Sequence, residues 1–401
     1  MRNYLTDSAP WQSTTLGELL TLEYGAALKE NARVGGTTPV FGSNGQVGWH
    51  DRPLVNGPGI VIGRKGSVGK LAWSDTPFWP IDTAYFVSLR RQANWRWLFW
   101  LLQQLSLERL DASTGVPGLN RNDAYGLRVS EPSRVEQSWI AEILDTLEAA
   151  IREAEVVVAK LKQVKAGLLH DLLTRGIDEH GHLRDPACHP EQFQDSPLGR
   201  IPKAWQVGVL DSAVRIIDCK HYTPRFVAEG IPFIRPRNVK AEGLDFTAVD
   251  YVSLADYKLL TDKHEPAQGD IVFSRNASFG VACFVAKPLR FAIGQDVVIM
   301  TRRAAETRFV FYVLRSFITE QQVARVSTGS TFGRINLEFI RALQVVLPGL
   351  EEQKNIVRVL DAHGERFEAE ELKLSKLHSL KRGLAHDLLT GRVRVKVGGG
   401  A

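Results

Sequence analysis

The residues best suited to recognition chemistry are arginines and asparagines that follow hydrophobic runs. Ile60-Val61-Ile62-Gly63 leads into Arg64-Lys65, and Ile271-Val272-Phe273-Ser274 leads into Arg275-Asn276. A guanidinium matches the paired acceptors of guanine, and a carboxamide matches the donor–acceptor edge of adenine. Both pairs are therefore candidate readers of a DNA base edge, with a solvated turn as the competing assignment. Arg235, Arg237 and Asn238 cluster around a proline, and Arg334 follows a Ser-Thr-Gly-Ser-Thr run. Ser43 and Asn44 carry suitable donors and acceptors, although Gly-Ser-Asn-Gly also makes an ordinary turn. Trp49, Trp73 and Trp79 are candidates to stack or wedge, with core packing as the alternative.

Other clusters fail on spacing. The stretch 63–71, Gly-Arg-Lys-Gly-Ser-Val-Gly-Lys-Leu, imitates a phosphate loop, but its glycines are mis-spaced and no Ser or Thr follows the lysine. His180, His182, Cys188 and His189 lie close together without a Cys-x-x-Cys partner, so no metal site is assigned. Neither an Asn-Pro-Pro-aromatic nor an Asp-Pro-Pro-Tyr box for amino methylation occurs, nor a Gly-x-Gly loop after a strand for the methyl donor. No catalytic residue is assigned. The three cysteines, Cys188, Cys219 and Cys283, are too few and too far apart for a disulfide framework.

These candidates sit in a chain that repeats itself. Glu136-Gln137-x-x-Ile140-x-x-x-Leu144-Asp145 returns as Glu352-Gln353-x-x-Ile356-x-x-x-Leu360-Asp361, 216 residues later. The register holds to His170-Asp171-Leu172-Leu173-Thr174 and its copy 386–390. Upstream the match continues with a smaller offset: Trp11-Gln12 with Trp205-Gln206 at 194, and 60–64 with 271–275 at 211. An offset that only rises indicates two copies of one fold, the second lengthened before its central strand.

Within the repeat, Ile140, Leu144, Leu147, Ile151, Ala154, Val158, Leu161, Lys165, Leu168 and Leu172 alternate spacings of four and three. That period of 3.5 marks a supercoiled helix, and the second copy carries Leu377, Lys381 and Leu388 on the same seam, interrupted at His363 and Glu370. Lysine recurs at one seam position, as Lys165 and Lys381. A rod of about 50–60 Å cannot bury such a stripe in a small domain, so the two helices are expected to pair, antiparallel, with a globular domain at each end. The globular parts read as mixed α/β, with strand-like runs at 59–62, 85–89, 270–273 and 297–301 and helices at 94–110 and 308–324. The expected fold is an α/β (α+β) two-fold repeat: globular domains at 1–133 and 204–348, long helices at 134–175 and 349–391, a linker at 176–203 and a tail at 392–401.

Length agrees, since 401 residues predict two to three domains. The net charge of +5 is compatible with nucleic acid without demanding it. No apolar run approaches the ~18 residues of a membrane span, and the first residues have no apolar signal-peptide core, so a cytoplasmic location is expected.

The arrangement resembles the specificity subunit of type I restriction–modification enzymes over nearly the whole chain. The two Glu-Gln-x-x-Ile starts, the Asp-Leu-Leu-Thr ends, the run 193–205 leading to Trp205, and Pro39-Val40-Phe41-Gly42-Ser43-Asn44-Gly45 carry the likeness. Ser130-Glu131-Pro132-Ser133 departs from it, because the family more often enters the helix as Val346-Leu347-Pro348 does. The resemblance implies two target-recognition domains, each reading half of a split DNA sequence, and paired helices that act as a ruler and as a platform for two modification (methyltransferase) subunits. Glu136, Gln137, Ile140, Leu144, Leu161, Lys165, Leu172, Glu352, Gln353, Ile356, Leu360, Leu377, Lys381 and Leu388 would then serve helix pairing and partner docking. It also implies that S-adenosylmethionine, ATP and Mg²⁺ belong to partner subunits, with restriction (motor–nuclease) subunits as further partners. The alternatives are a related methylation-only or type IIB-like system, a self-contained nuclease or methyltransferase, and a coiled-coil scaffold without DNA readout.

Overall fold

The computed structural model describes residues 11–111, 118–275, 280–327 and 335–395. The chain divides into two compact units, one formed by Met1–Val157 with Glu370–Ala401 and the other by Val158–Ala369.

In the first unit, the fully buried strand Gly59–Gly63 lies between Ala84–Leu89 and Leu71–Ser74, and Leu20–Tyr24 completes an antiparallel sheet beyond Ala84–Leu89. Its alternating side chains explain why it is buried on both faces. Ile60 and Ile62 enter a core with Trp97, Leu98 and Leu101 of the helix Trp95–Leu105, while Val61 meets Phe41 and Phe78 on the other side. A second sheet holds the hairpin Thr38–Gly42 and Gly45–His50, with Trp79–Pro80 parallel to the first of these. Gln12–Thr15 and Arg128–Glu131 pair antiparallel, so the chain enters and leaves the domain side by side and delivers its end to a long helix.

The second unit repeats this plan. Val214–Asp218, Val297–Arg302, Ile271–Ser274 and Ala282–Phe284 follow the same order in an antiparallel sheet. Gln206–Val209 pairs with Gln344–Leu347 as the entry and exit strands. The extra residues before the central strand supply Asp250–Val252 and the helix Leu254–Leu260, which enlarge the second sheet to four strands.

Three expectations are corrected. The helix expected over 94–110 stops at Leu105, because Ser106 takes a left-handed conformation (φ 50°) before the 3₁₀ turn Leu107–Leu110. The helix expected over 308–324 is two, Thr307–Leu314 and Phe317–Ser327, divided where the Ser316 and Thr319 hydroxyls donate to the Val313 carbonyl at 2.7 and 2.8 Å. The stretch 176–203, expected as a linker, carries structure of its own and packs on the second unit. Phe193–Ser196 and Gly199–Pro202 form a hairpin, and Ile177, Ile201 and Trp205 belong to the core of the second unit. Gly176 (φ 63°) must be glycine here, since a Cβ would fall 2.3 Å from both Glu352 and Trp205.

The repeated helices are Arg134–Thr174 and Leu350–Leu389. The units divide within these helices, not at their ends. In the first unit Ile140 and Leu144, near the start of one helix, share a core with Leu388 and Leu389, near the end of the other. Glu148 meets Lys381 and Glu155 meets His378, so the numbers run in opposite senses and the pair is antiparallel. In the second unit Ile356 and Leu360 share a core with Leu172 and Leu173, and His363 lies 2.9 Å from the Leu161 carbonyl. Each domain thus buries the beginning of its own helix and the end of the other. The helices pair as an antiparallel coiled coil.

Candidate nucleic-acid interface

The Glu-Gln start of each long helix is turned inward. Glu136 accepts from the Trp11 indole (3.2 Å), from Ser133 and from Arg394 (2.6 Å). Burial pushes its carboxyl up, but the hydrogen bonds from Arg394, Ser133 and Trp11 outweigh this and hold it below the usual range. Glu352 accepts from the Trp205 indole (3.1 Å), the Ile177 amide (3.0 Å) and Arg184 (2.5 Å). The glutamines match as closely. Gln137 accepts from the Asn94 amide and donates to the Pro132 carbonyl, while Gln353 accepts from the Glu306 amide and donates to the Pro348 carbonyl. These four residues fasten each helix to its own domain.

A third latch was missed in the sequence. Asp145 binds Arg96 and the Trp100 indole, and Asp361 binds Arg308 and the Tyr312 hydroxyl. Burial, and then the bond to Asp361, push the Tyr312 phenol well above its ordinary value. Arg96 and Arg308 stand 212 residues apart, an offset that fits the rising series and could have revealed them. On the seam, Ile140, Leu144, Leu161, Leu172, Ile356, Leu360 and Leu388 are buried and Leu377 is half-buried. The two seam lysines differ in company. Lys381 pairs with Glu148 (2.5 Å) over the Trp100 ring, whereas Lys165 lies over Phe367.

Four candidate DNA-binding residues of the first unit come together. Ser43 and Asn44 form the tip of the hairpin, and the Ser43 carbonyl sits so close to Gly63 that a Cβ there would fall 2.6 Å from it. Lys70 donates to Asn44 (2.6 Å), and the adjacent turn carries Lys65, which is exposed, and Arg64. One Arg64 N–H is given to the Asp82 carbonyl (2.8 Å), and its guanidinium lies 4.7 Å from the ring centre of Tyr24. Arg121 approaches the same ring at 4.6 Å. Sequence reading named neither Tyr24 nor Arg121, since neither belongs to a local motif. Trp49 is exposed, while Trp73 and Trp79 are half-buried, with the Trp79 indole bonded to the Ala26 carbonyl.

In the second unit the candidates divide. Arg235 and Arg237 share Asp250 at 3.3 and 2.9 Å, and Arg235 covers the exposed Phe226 ring at 4.8 Å. Asn238 is buried and caps its own turn through the Arg235 amide and the Asp245 carbonyl. Arg275 is only 5% exposed and is paired with Asp218 (3.1 Å) and the Ile335 carbonyl (3.2 Å). Asn238 and Arg275 are thus buried and bonded within the domain. Asn276 and Arg334 lie outside the described residues. Among the described residues no group of three or more His, Cys, Asp or Glu could hold a metal, and no helix is long and apolar enough to cross a membrane. Asp178 instead accepts from the His180 and His182 backbone amides, as in a turn.

Comparison with known proteins gives the same pattern. The type I restriction modification DNA specificity domain matches residues 9–161 and again residues 222–378. The type I restriction enzyme MjaVIII specificity subunit of Methanocaldococcus jannaschii is 24% identical over 308 residues, covering 74% of this chain and 69% of that protein. The type I restriction enzyme EcoDI specificity subunit of Escherichia coli is 22% identical over 364 residues, covering 87% and 80%. The crystal structure of the S subunit of a type I restriction–modification system from M. genitalium shares the fold, with a TM-score of 0.65 at 14% identity over 96% of this chain and 98% of that one. Two matched copies, each spanning a domain and the start of its latched helix, account for most of the chain, which belongs to the type I restriction–modification DNA specificity family.

Proposed function

We propose that this chain reads a split DNA target, one half through each domain, and docks two modification subunits on its paired helices. The observation that carries the reading is a contrast between the copies. The latches Glu136/Glu352, Gln137/Gln353 and Asp145/Asp361 are the same in both, whereas the exposed chemistry differs. Tyr24 in one domain stands where Asp218 stands in the other. A frame held constant under two different surfaces suits identical partners met twice and two unlike half-sites.

The docking face in this reading lies beside the seam. Trp139 (45% exposed), Val156 (69%), Leu372 and Leu380 present apolar side chains to solvent in the first unit, and Val164 and Val359 do so in the second. Val156 and Leu372 occupy equivalent helix positions, as do Val164 and Leu380. Apolar groups exposed outside a completed seam suit the surface of a protein partner. Affinity for DNA would come from arginine and lysine contacts to phosphate, Arg64 among them, and sequence preference from base-edge contacts at Ser43, Asn44, Lys65, Arg235 and Arg237. The chain itself is non-catalytic in this reading. S-adenosylmethionine, ATP and Mg²⁺ are assigned to the partner subunits, and the site of action to the cytoplasm.

The test is a methylation map of the source genome with and without this chain's gene. One motif of two short blocks separated by unspecified bases should vanish with the gene. Loss of an uninterrupted motif, or no loss, would overturn the reading.

A further inference from the structure

The two domains place different net charge at one and the same position of the fold, positive in the first and neutral in the second. In the first, Tyr24 ends the edge strand of the sheet, Arg64 follows the central strand, and Arg121 opens the short helix Arg121–Tyr125. In the second, the same three places hold Asp218, Arg275 and Leu337. The backbone confirms the correspondence. Arg64 accepts from the Leu119 amide as Arg275 accepts from the Ile335 amide, and each arginine's own amide donates across to the loop before the next strand, at Thr83 and at Asp296.

Resting on the DNA-reading assignment above, we infer that Tyr24, Arg64 and Arg121 form a phosphate-gripping station of the first domain, and that its counterpart at Asp218 and Arg275 grips none. Two guanidiniums held within 5 Å of one ring centre repel each other, and among the described residues neither forms an ion pair with a carboxylate. The ring face attracts both, which is why they gather there. Each gives one N–H to a backbone carbonyl, Arg64 to Asp82 and Arg121 to Leu22. That fixes their planes and leaves further donors for an outside acceptor. Tyr24 is 49% exposed, so a ligand reaches the group. Lys65 is exposed on the adjacent turn, and Lys70 borders it through Asn44. An excess of positive charge with oriented donors, on an open surface, fits the oxygens of a nucleic-acid backbone.

In the second domain the half-buried Asp218 carboxylate neutralises the buried Arg275. A carboxylate at that place repels phosphate. An exposed arginine–aromatic contact of this domain lies elsewhere, at Arg235 and Phe226 on the other sheet. The two halves therefore grip DNA at non-equivalent places.

The experiment measures binding of the full-length chain to a random-sequence duplex by fluorescence anisotropy across a salt series. Removing one phosphate-binding side chain should reduce the slope of log K against log[salt] by about one. Arg64→Ala and Arg121→Ala should each do so, and the double variant should lower it by about two. Tyr24→Asp, which imitates the second domain, should lower it by one or more, while Arg121→Lys and Tyr24→Phe should keep the slope. Arg275→Ala should leave the slope unchanged, whatever it does to stability. A wild-type slope in Arg121→Ala, in protein whose circular dichroism is unaltered, overturns the inference. An equal fall in Arg275→Ala overturns it too. A wild-type chain that shows no salt-dependent binding overturns the DNA reading itself, and this inference with it.

Discussion

Removing the Glu352 carboxylate tests whether the repeated Glu-Gln start is a latch. Glu352→Ala strands three donors at once: the Arg184 guanidinium, the Trp205 indole and the Ile177 amide. Breaking a buried ion pair by deleting one partner costs about 3–5 kcal/mol. Here the side chains of Glu352 and Arg184 are 14% and 15% exposed, so water reaches them and the low end, about 3 kcal/mol, applies. For a unit of this size that corresponds to a fall in Tm of roughly 6–12 °C. Glu352→Gln keeps the volume and an acceptor but not the charge, and should cost about 1–2 kcal/mol. Urea unfolding gives the free energies, and hydrogen exchange gives the location. Protection should be lost at 176–205 and around the start of the second helix, with the first domain unaffected. A cost below about 1 kcal/mol for the alanine variant would show that the carboxylate is dispensable. Loss of protection spread over both domains would show that it is not a local latch.

Four further outcomes are expected. Because the Glu136 carboxyl is held below its ordinary value near 4.5, its contribution is complete above that pH and lost as pH falls below it; thermal stability of Glu136→Gln and wild type should converge on acidification. Lys381→Met should cost about 1 kcal/mol by leaving Glu148, half-buried beside the seam, with only its 3.8 Å pair to Arg152, and Glu148→Met added to it should recover most of this in thermal unfolding. Arg275→Ala should destabilise the second unit by about 2–4 kcal/mol, since Asp218 and the Ile335 carbonyl lose their donor, whereas a base reader would show changed sequence preference at full stability. Trp139→Asp should abolish co-purification of a modification subunit with only a small fall in Tm, because the residue is 45% exposed; undiminished co-purification would remove the helix face from the docking surface.

The duplication, the strands and the seam were legible because each leaves a periodic signature. Ile60-Val61-Ile62 and Ile271-Val272-Phe273 could be placed in central strands by composition alone, and the spacing from Ile140 to Leu172 gave the helix pair. Three things were not legible. The helix breaks at Ser106 and Ser316 depend on single backbone conformations and hydroxyl bonds, which carry no periodicity. The stretch 176–203 has a turn-like composition, and only its contacts with Glu352 and Trp205 show that it is part of the core. The status of Arg275 depended on Asp218, which lies 57 residues away in sequence and beside it in space. Arg64 and Arg275 look alike in sequence, yet one meets a tyrosine and the other an aspartate. The residue that ends the strand two places away in the sheet decides whether the guanidinium meets a carboxylate.

That last difference explains how two copies can diverge without losing the frame. Gln137 and Gln353 bind the amides of Asn94 and Glu306 and the carbonyls of Pro132 and Pro348. They contact backbone, so the side chain at either partner position is free: asparagine in one copy, glutamate in the other. Glu136 and Glu352 each bind an indole and an arginine besides a local partner (Ser133 or the Ile177 amide), and the arginine comes from different places, Arg394 in one unit and Arg184 in the other. A fastening built on backbone groups tolerates replacement of nearly everything on the domain's surface. The Tyr24 and Asp218 positions lie beyond the reach of these contacts, on the edge strand. Exchanging tyrosine for aspartate there adds one negative charge while the helix start stays as it is, so surface chemistry can change at the strand ends without disturbing the fastening of the helix.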